Sequence, residues 1–360
     1  MDFTLNQDQL ALQASVREFL AGRYPIERVA ELSDGDGFDA ASWSEVADLG
    51  WTALSVPEAE GGLGLGFVEE MIVAEQLGRA LFPGPFLSTV VLALPALREA
   101  EDLREAVVAG KSAATVAWTG ADGELRTSGL ALRATGQGRL SGEASFVPDL
   151  AAAHVVVVAG EGPDGVGLWA VERDGDGVSW ETLPTVDGTR RLGRLSLDAA
   201  PGRALASGAA AEGLLLDLRN RALAALAAEA VGVASSALEL AIEHAKSREQ
   251  FGRLIGVYQA VSHTLADAFI ETESARSLAY WAGWAVANGA EEAADAAAAA
   301  KAYAAEAAVA SCERAIQVHG GIGFTWEHPL HRYYKRALGI AAFMGWPAEH
   351  RARVAASLLD

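Results

Sequence analysis

The order of textures along the chain limits what it can fold into. Helix-patterned sequence comes first, a segment of short strand-like runs follows, and helix-patterned sequence returns to the end. In the first part Leu5, Leu10, Leu12, Val16, Phe19 and Leu20 recur near the helical period until Pro25 interrupts them. A second helix is expected around residues 43–49, closed by Gly50, and another over about 67–81, stopped by Pro83 and Pro85. Between them Pro57-Glu58-Ala59-Glu60-Gly61-Gly62-Leu63-Gly64 forms a glycine-rich loop. From about residue 112, β-branched runs at 113–118, 155–158, 166–171, 178–183 and 192–197 alternate with the turns Asp122-Gly123, Asp164-Gly165 and Asp176-Gly177. That is the pattern of an antiparallel sheet or a small barrel. Helix formers return in periodic stretches over roughly 209–247, 256–288 and 291–319, with Asn288-Gly289 as a turn. With the C-terminal segment they are long enough for a four-helix bundle. The expected fold is α+β, with an N-terminal helical domain over 1–110, a middle antiparallel β domain over 111–205 and a helical bundle over 206–360.

Charge and residue counts exclude several function classes. A net charge of −20 leaves no clustered basic surface for nucleic acid. The lone Cys312 excludes an intramolecular disulfide and a cysteine-rich metal site; in its Ala-rich helical setting it reads as a small buried side chain. No apolar run reaches the roughly 18 residues of a membrane span, and the N-terminus lacks a basic-then-apolar leader, so the expected place is the cytoplasm. His328 and His331 stand at i,i+3 without a third ligand, so no metal site is expected. His319 and His328 flank a glycine loop and read as solvated or phosphate-adjacent, while His244, His263 and His350 are scattered. No Gly-x-Ser-x-Gly elbow or phosphate loop is present. Three long Ala-rich helices cannot bury all their apolar faces in one small domain, which predicts a dimer or a dimer of dimers.

Three motifs carry a family resemblance. Arg248-Glu249-Gln250-Phe251-Gly252-Arg253, followed by Ile255-Gly256 and Gln259-Ala260, joins one long helix to the next. Gln317-Val318-His319-Gly320-Gly321-Ile322-Gly323-Phe324 follows downstream and continues as Thr325-Trp326-Glu327-His328-Pro329. With the loop at Pro57–Gly64, and at this spacing inside an α–β–α chain, they resemble the acyl-CoA dehydrogenases, in particular a short bacterial, actinobacterial-type branch. The resemblance covers essentially the whole chain. It implies FAD, an acyl-CoA substrate, a place in fatty-acid or steroid side-chain catabolism, and an oligomer whose FAD lies across a subunit interface. The family removes two hydrogens across Cα–Cβ: a carboxylate takes the α-proton and flavin N5 accepts a hydride from Cβ. On that reading Arg248 holds the pyrophosphate with its guanidinium fork, with Gln250 in the same cofactor surface. Phe251 packs on the adenosine, Gln317 donates to a phosphate oxygen, and Gly320 and Gly321 let backbone amides approach it. Taken by themselves, the same residues also suit an arginine that caps a helix and glycines that turn the chain.

The departures from the family pattern fall on the reactive half of the site. The middle-domain loop, Thr-Glu-Pro-Gly-Ala-Gly-Ser-Asp in the family, corresponds to the shortened Ala117-Trp118-Thr119-Gly120-Ala121-Asp122. The aromatic-Ile-Thr-Asn strand becomes Phe146-Val147-Pro148-Asp149, and proline lacks both hydroxyl and N–H. The two places where the family carries its basic glutamate hold Met344 and Ala222, and the neighbouring substrate arginine is Leu223. Glu229 lies seven residues beyond Ala222 on nearly the same helix face and is the one candidate base. Its axial displacement of ~10 Å favours a structural carboxylate instead. The resemblance therefore implies a partner subunit of a hetero-oligomeric acyl-CoA dehydrogenase that supplies the ADP-half surface for FAD. The alternatives are a self-sufficient homo-oligomer using Glu229, and a dehydrogenase-like binding protein without flavin.

Overall fold

A computed structural model describes residues 4–35, 37–120 and 129–359. The expected Asp122-Gly123 turn and the end of the 117–122 loop lie outside the described residues. Helix starts follow from caps written in the sequence. Asn6 Oδ1 accepts from Gln9 N at 2.9 Å and Gln9 Oε1 from Asn6 N at 3.1 Å, a reciprocal capping box that opens α1 (Gln7–Arg23). Pro25 separates it from α2 (Ile26–Asp34), and Asp39 caps α3 (Ala40–Asp48), after which Gly50 turns left-handed at φ 79°.

Contacts divide the chain into two compact units, one of residues 32–66 and 83–222, the other of 1–31, 67–82 and 223–360. The first contains α3, a π-helical segment (Leu87–Ala93) running into α5 (Leu94–Ala96), α6 (Glu101–Val108) and an eight-stranded sheet. Its strands are β1 (Ala114–Ala117), β2 (Arg133–Ala134), β3 (Arg139–Pro148), β4 (Val155–Gly162), β5 (Gly165–Glu172), β6 (Val178–Leu183), β7 (Leu192–Pro201) and β8 (Arg203–Ser207). They run in the order β6-β7-β3-β2-β4-β5-β8, with β1 on β4. The sheet corrects the sequence expectation in two ways. β2 and β8 are additional, β3 extends the strand expected at Phe146–Pro148 back to Arg139, and β1 and β2 pair parallel with β4 in an otherwise antiparallel sheet. Val155–Val158 are all buried, as a strand covered on both faces requires, whereas β7 alternates. Leu140, Val147, Val156, Val158, Trp169 and Leu195 form the core.

The second unit holds α1, α4 (Phe67–Ala80) and the helical bundle. The bundle is built from α7 (Gly208–Ser247), α8 (Gln259–Ala287), α9 (Ala293–His319), α10 (Leu330–Ala342) and α11 (Pro347–Leu359). The first fifteen residues of α7 belong to the other unit. A two-stranded ribbon, β9 (Glu249–Gln250) and β10 (Arg253–Leu254), joins α7 to α8. α9 packs against α8, α10 and α11, and most of its alanines are fully buried. α7 corrects the reading that no apolar run is long enough to span a membrane, since an 18-residue window of it has a mean hydropathy of 1.5. That window is 78% buried within the protein, which makes it a core helix. α4 crosses α7 closely at two glycines: a Cβ on Gly78 would lie 2.1 Å from Glu229 O, and one on Gly232 would lie 2.0 Å from Glu75 O. Beside this crossing Glu75 is buried with the guanidinium of Arg276, and Tyr280 Oη donates to its carboxylate at 3.0 Å. Cys312 is wholly buried, and burial pushes its thiol well above the usual range.

Candidate active site

The motif Arg248–Arg253 is the ribbon at the end of α7. Arg248 N donates to His244 O at 2.9 Å, continuing the helix, and Ile255 N donates to Arg248 O at 2.9 Å, closing the ribbon. Phe251 (φ 53°) and Gly252 (φ 76°) are both left-handed, as the two central positions of a tight primed turn require. The turn presents Phe251 at 91% exposure. Tyr258 Oη donates to Gln250 O at 3.1 Å and pins the ribbon to α8.

The second motif ends α9. Gly320 takes φ 64°, ψ −138°, a conformation open to glycine, and stops the helix. A Cβ on Gly320 or Gly321 would meet no atom within 4 Å, so the space before these two residues is open. His244 of the first motif's helix stacks on His319 of the second at 4.2 Å between ring centroids. Arg248, Gln250, Phe251, Gln317, Gly320 and Gly321 are thus brought to one end of the bundle, all of them exposed. Among the described residues neither the Arg248 guanidinium nor the Gln317 amide has a hydrogen-bond or ion-pair partner, so both are free to donate. No group of three His, Cys, Asp or Glu suited to a metal ion occurs among the described residues.

Glu229 is elsewhere. It is 5% exposed and ion-paired with Arg336, itself 2% exposed, which also donates to Phe82 O at 3.2 Å. The positions that correspond to the family base, Met344 and Ala222, are both buried. Sequence reasoning missed Arg336. It also missed Lys301, whose ammonium is fully buried and donates to Ala341 O at 2.8 Å and to Gly345 O, bracketing the turn at Met344 (φ 61°). A lone lysine in an alanine run was the signal. In the other unit, a bulge between Ala144 and Val147 puts Phe146 at φ 57°, and Pro148 O accepts from Thr115 Oγ1 at 2.5 Å.

The bracket around residue 344 makes a pH prediction. Burial brings Lys301 from 10.5 down to about 7, against the opposing charge of Glu349. Burial, then the charges of Lys301 and Arg353, bring His350 from 6.5 down to about 4. Both pKa values are lower in the folded chain, so the unfolded chain binds more protons and stability rises with pH. The windows are about pH 4–6.5 for His350 and about pH 7–10.5 for Lys301. Denaturant titrations of Lys301→Met across pH 7–10 should lose a slope of at most about 1.4 kcal/mol per pH unit seen in the native chain. An unchanged slope would contradict this placement of the lysine.

Comparison with known proteins decides the family. Residues 6–102 match the description "Acyl-CoA dehydrogenase, N-terminal domain" and residues 219–359 match "Acyl-CoA dehydrogenase, C-terminal domain". Acyl-CoA dehydrogenase IpdE2 of Mycobacterium tuberculosis is 32% identical over 89% of this chain and 87% of its own length. The chain belongs to the acyl-CoA dehydrogenase family. Among solved structures, the ChsE4–ChsE5 complex from Mycobacterium tuberculosis superposes with a TM-score of 0.90 at 30% identity, covering 100% of this chain and 99% of that one. A variant of the Tcur3481–Tcur3483 steroid ACAD superposes with a TM-score of 0.88 at 35% identity, covering 99% and 98%. FAD is the cofactor of acyl-CoA dehydrogenases. The open face of Gly320-Gly321 and the free donors of Arg248 and Gln317 fit the diphosphate half of such a cofactor, where anions meet backbone N–H groups and a fixed cation.

Proposed function

We propose that this chain is the partner subunit of a hetero-oligomeric acyl-CoA dehydrogenase, supplying the ADP-half surface for FAD while another chain supplies the base. The selective distribution of usable groups carries the reading. Arg248, Gln317 and the Gly320-Gly321 face are exposed and uncommitted at one end of the bundle. Met344 and Ala222 hold no carboxylate, and Glu229 is committed to Arg336. Similarity to a two-component complex, ChsE4–ChsE5, supports a heteromeric assembly. Phe269, Ile270, Phe324 and Trp326 leave large apolar side chains exposed on the unit that holds the bundle, which supports association with another chain. The expected organisation is an N-terminal helical, a middle β and a C-terminal bundle segment over about 1–110, 111–205 and 206–360.

Bound FAD supplies the hydride acceptor for the family's α,β-dehydrogenation of an acyl-CoA thioester. In this chain Arg248 would neutralise the diphosphate, Gln317 would donate to a phosphate oxygen, and Phe251 would cover the adenosine. The chain contributes binding and orientation, and its proton acceptor lies in the partner. Co-expression with a neighbouring dehydrogenase gene product, followed by size exclusion and flavin absorbance, is expected to give a yellow hetero-oligomer. A flavin-loaded homotetramer that dehydrogenates acyl-CoA alone would overturn the proposal, and a colourless complex would overturn the flavin role.

Arg248→Ala makes the cofactor assignment quantitative. Loss of one charge-assisted contact of about 1.5–3 kcal/mol should weaken FAD binding by roughly ten- to a hundred-fold in the complex. The melting temperature of the flavin-free chain should stay close to the parent value, because the guanidinium is exposed and unpaired. A lowered melting temperature with unchanged flavin content would assign Arg248 to helix capping instead.

A further inference from the structure

Three imidazoles from three elements form a column beside the two motifs. His244 comes from the last turn of α7, His319 ends α9, and His328 lies just before α10. His244 and His319 stack at 4.2 Å with 25° between their planes, and His319 meets His328 at 4.4 Å and 51°. His319 Nδ1 lies 2.8 Å from Ala315 O, and since a carbonyl only accepts, this nitrogen donates and fixes the ring's orientation. The charged groups that act on the column are Arg248 beside His244 and His331 beside His328. Among the described residues the groups that shift His244 or His328 include no carboxylate; Glu243 is engaged with Lys246 at 3.0 Å, and Glu249 and Glu327 are exposed. Burial, then repulsion from neighbouring imidazoles, and for His244 also from Arg248, hold His244 and His328 below the ordinary value of 6.5. In the free chain both effects favour the neutral imidazole at His244 and His328.

A histidine column that faced a structural acid would be biased toward the charged form. Here the groups that shift His244 and His328 are Arg248 and other imidazoles, so the charge they lack is one that an arriving anion would stabilise. The open face of Gly320-Gly321 begins one residue beyond His319, and Arg248 stands one helical turn beyond His244. We infer that His244, His319 and His328 form a proton-linked anion site, taking up a proton as the diphosphate of a dinucleotide binds against Arg248 and Gly320-Gly321. The inference rests on the ADP-half reading above and adds three binding residues to it. Remaining neutral until the ligand arrives spares the empty site the repulsion of a second cation beside Arg248. It also couples affinity to pH.

Isothermal titration of the purified chain with ADP-ribose tests this, because its diphosphate diester keeps one charge state across the range used. Between about pH 8 and about pH 6, affinity is expected to rise, by up to about tenfold per pH unit for each linked proton. Repeating the titration in buffers of different ionisation enthalpy should show net proton uptake. His244→Gln with His328→Gln should flatten the pH dependence. Binding of ADP-ribose to the native chain with pH-independent affinity and no proton uptake would overturn the inference and leave the ADP-half reading standing. Absence of binding at every pH would overturn both.

Discussion

Glu229→Gln is expected to destabilise the bundle by about 3–5 kcal/mol, the cost of removing one charge from a buried ion pair. Arg336 is 2% exposed, and its guanidinium has Glu229 and the carbonyl of Phe82 as partners within the described structure. Glutamine keeps the shape and removes the charge, so the buried cation loses its ion pair with Glu229. Denaturant unfolding of the flavin-free chain measures the effect directly. A catalytic Glu229 makes the contrary forecast: turnover abolished, fold and flavin retention intact. Replacing both partners together, as Glu229→Gln with Arg336→Met, should recover part of the loss, because the buried cation is then gone as well. Equal stability of native chain and Glu229→Gln would remove the structural role assigned to the pair.

The second large effect belongs to the α4–α7 crossing. Gly232→Ala should destabilise by at least about 1–3 kcal/mol, since its Cβ would overlap Glu75 O at 2.0 Å and backbone cannot swing aside like a side chain. Alanine in a helix gains only about 1 kcal/mol over glycine, so steric overlap decides the sign. Gly213 on the same helix is the control, for its Cβ would meet nothing within 4 Å. Gly213→Ala should stabilise by up to about 1 kcal/mol. Thermal melts of the two variants are expected to move in opposite directions. Two melts moving together would show that the helices are not held this closely.

Much of the architecture was legible because the chain writes its periods clearly. Three bundle helices predicted at 209–247, 256–288 and 291–319 stand at Gly208–Ser247, Gln259–Ala287 and Ala293–His319. The strand at Val178–Leu183 was read to the residue. The first part of β3 was not legible, because Gly142 and the polar Ser141, Glu143 and Ser145 dilute its β-branched signal, and β2 is two residues long. The pairing of β1 with β4 had no local signal, since parallel partners are set by the crossover between them. At the site, the two motifs were visible as words, but their meeting depends on where α7 and α9 end. The sequence showed Glu229 as a carboxylate on an apolar helix; its counterion stands 107 residues away on α10. Long-range ion pairs of that kind leave no periodic trace.

The alanine-filled surface of α9 bears on how this chain can change over generations. Ala296, Ala298, Ala300, Ala304, Ala305 and Ala308 show no exposure at all. A methyl group has no rotamers, so burying it costs no side-chain entropy and lets neighbouring backbones approach. The same closeness leaves no slack for growth, since any larger residue must push a whole helix aside. Drift along α9 is therefore confined to exchanges among the smallest residues. Adaptation to a new partner or acyl group must be sought in the outward positions and the connecting segments.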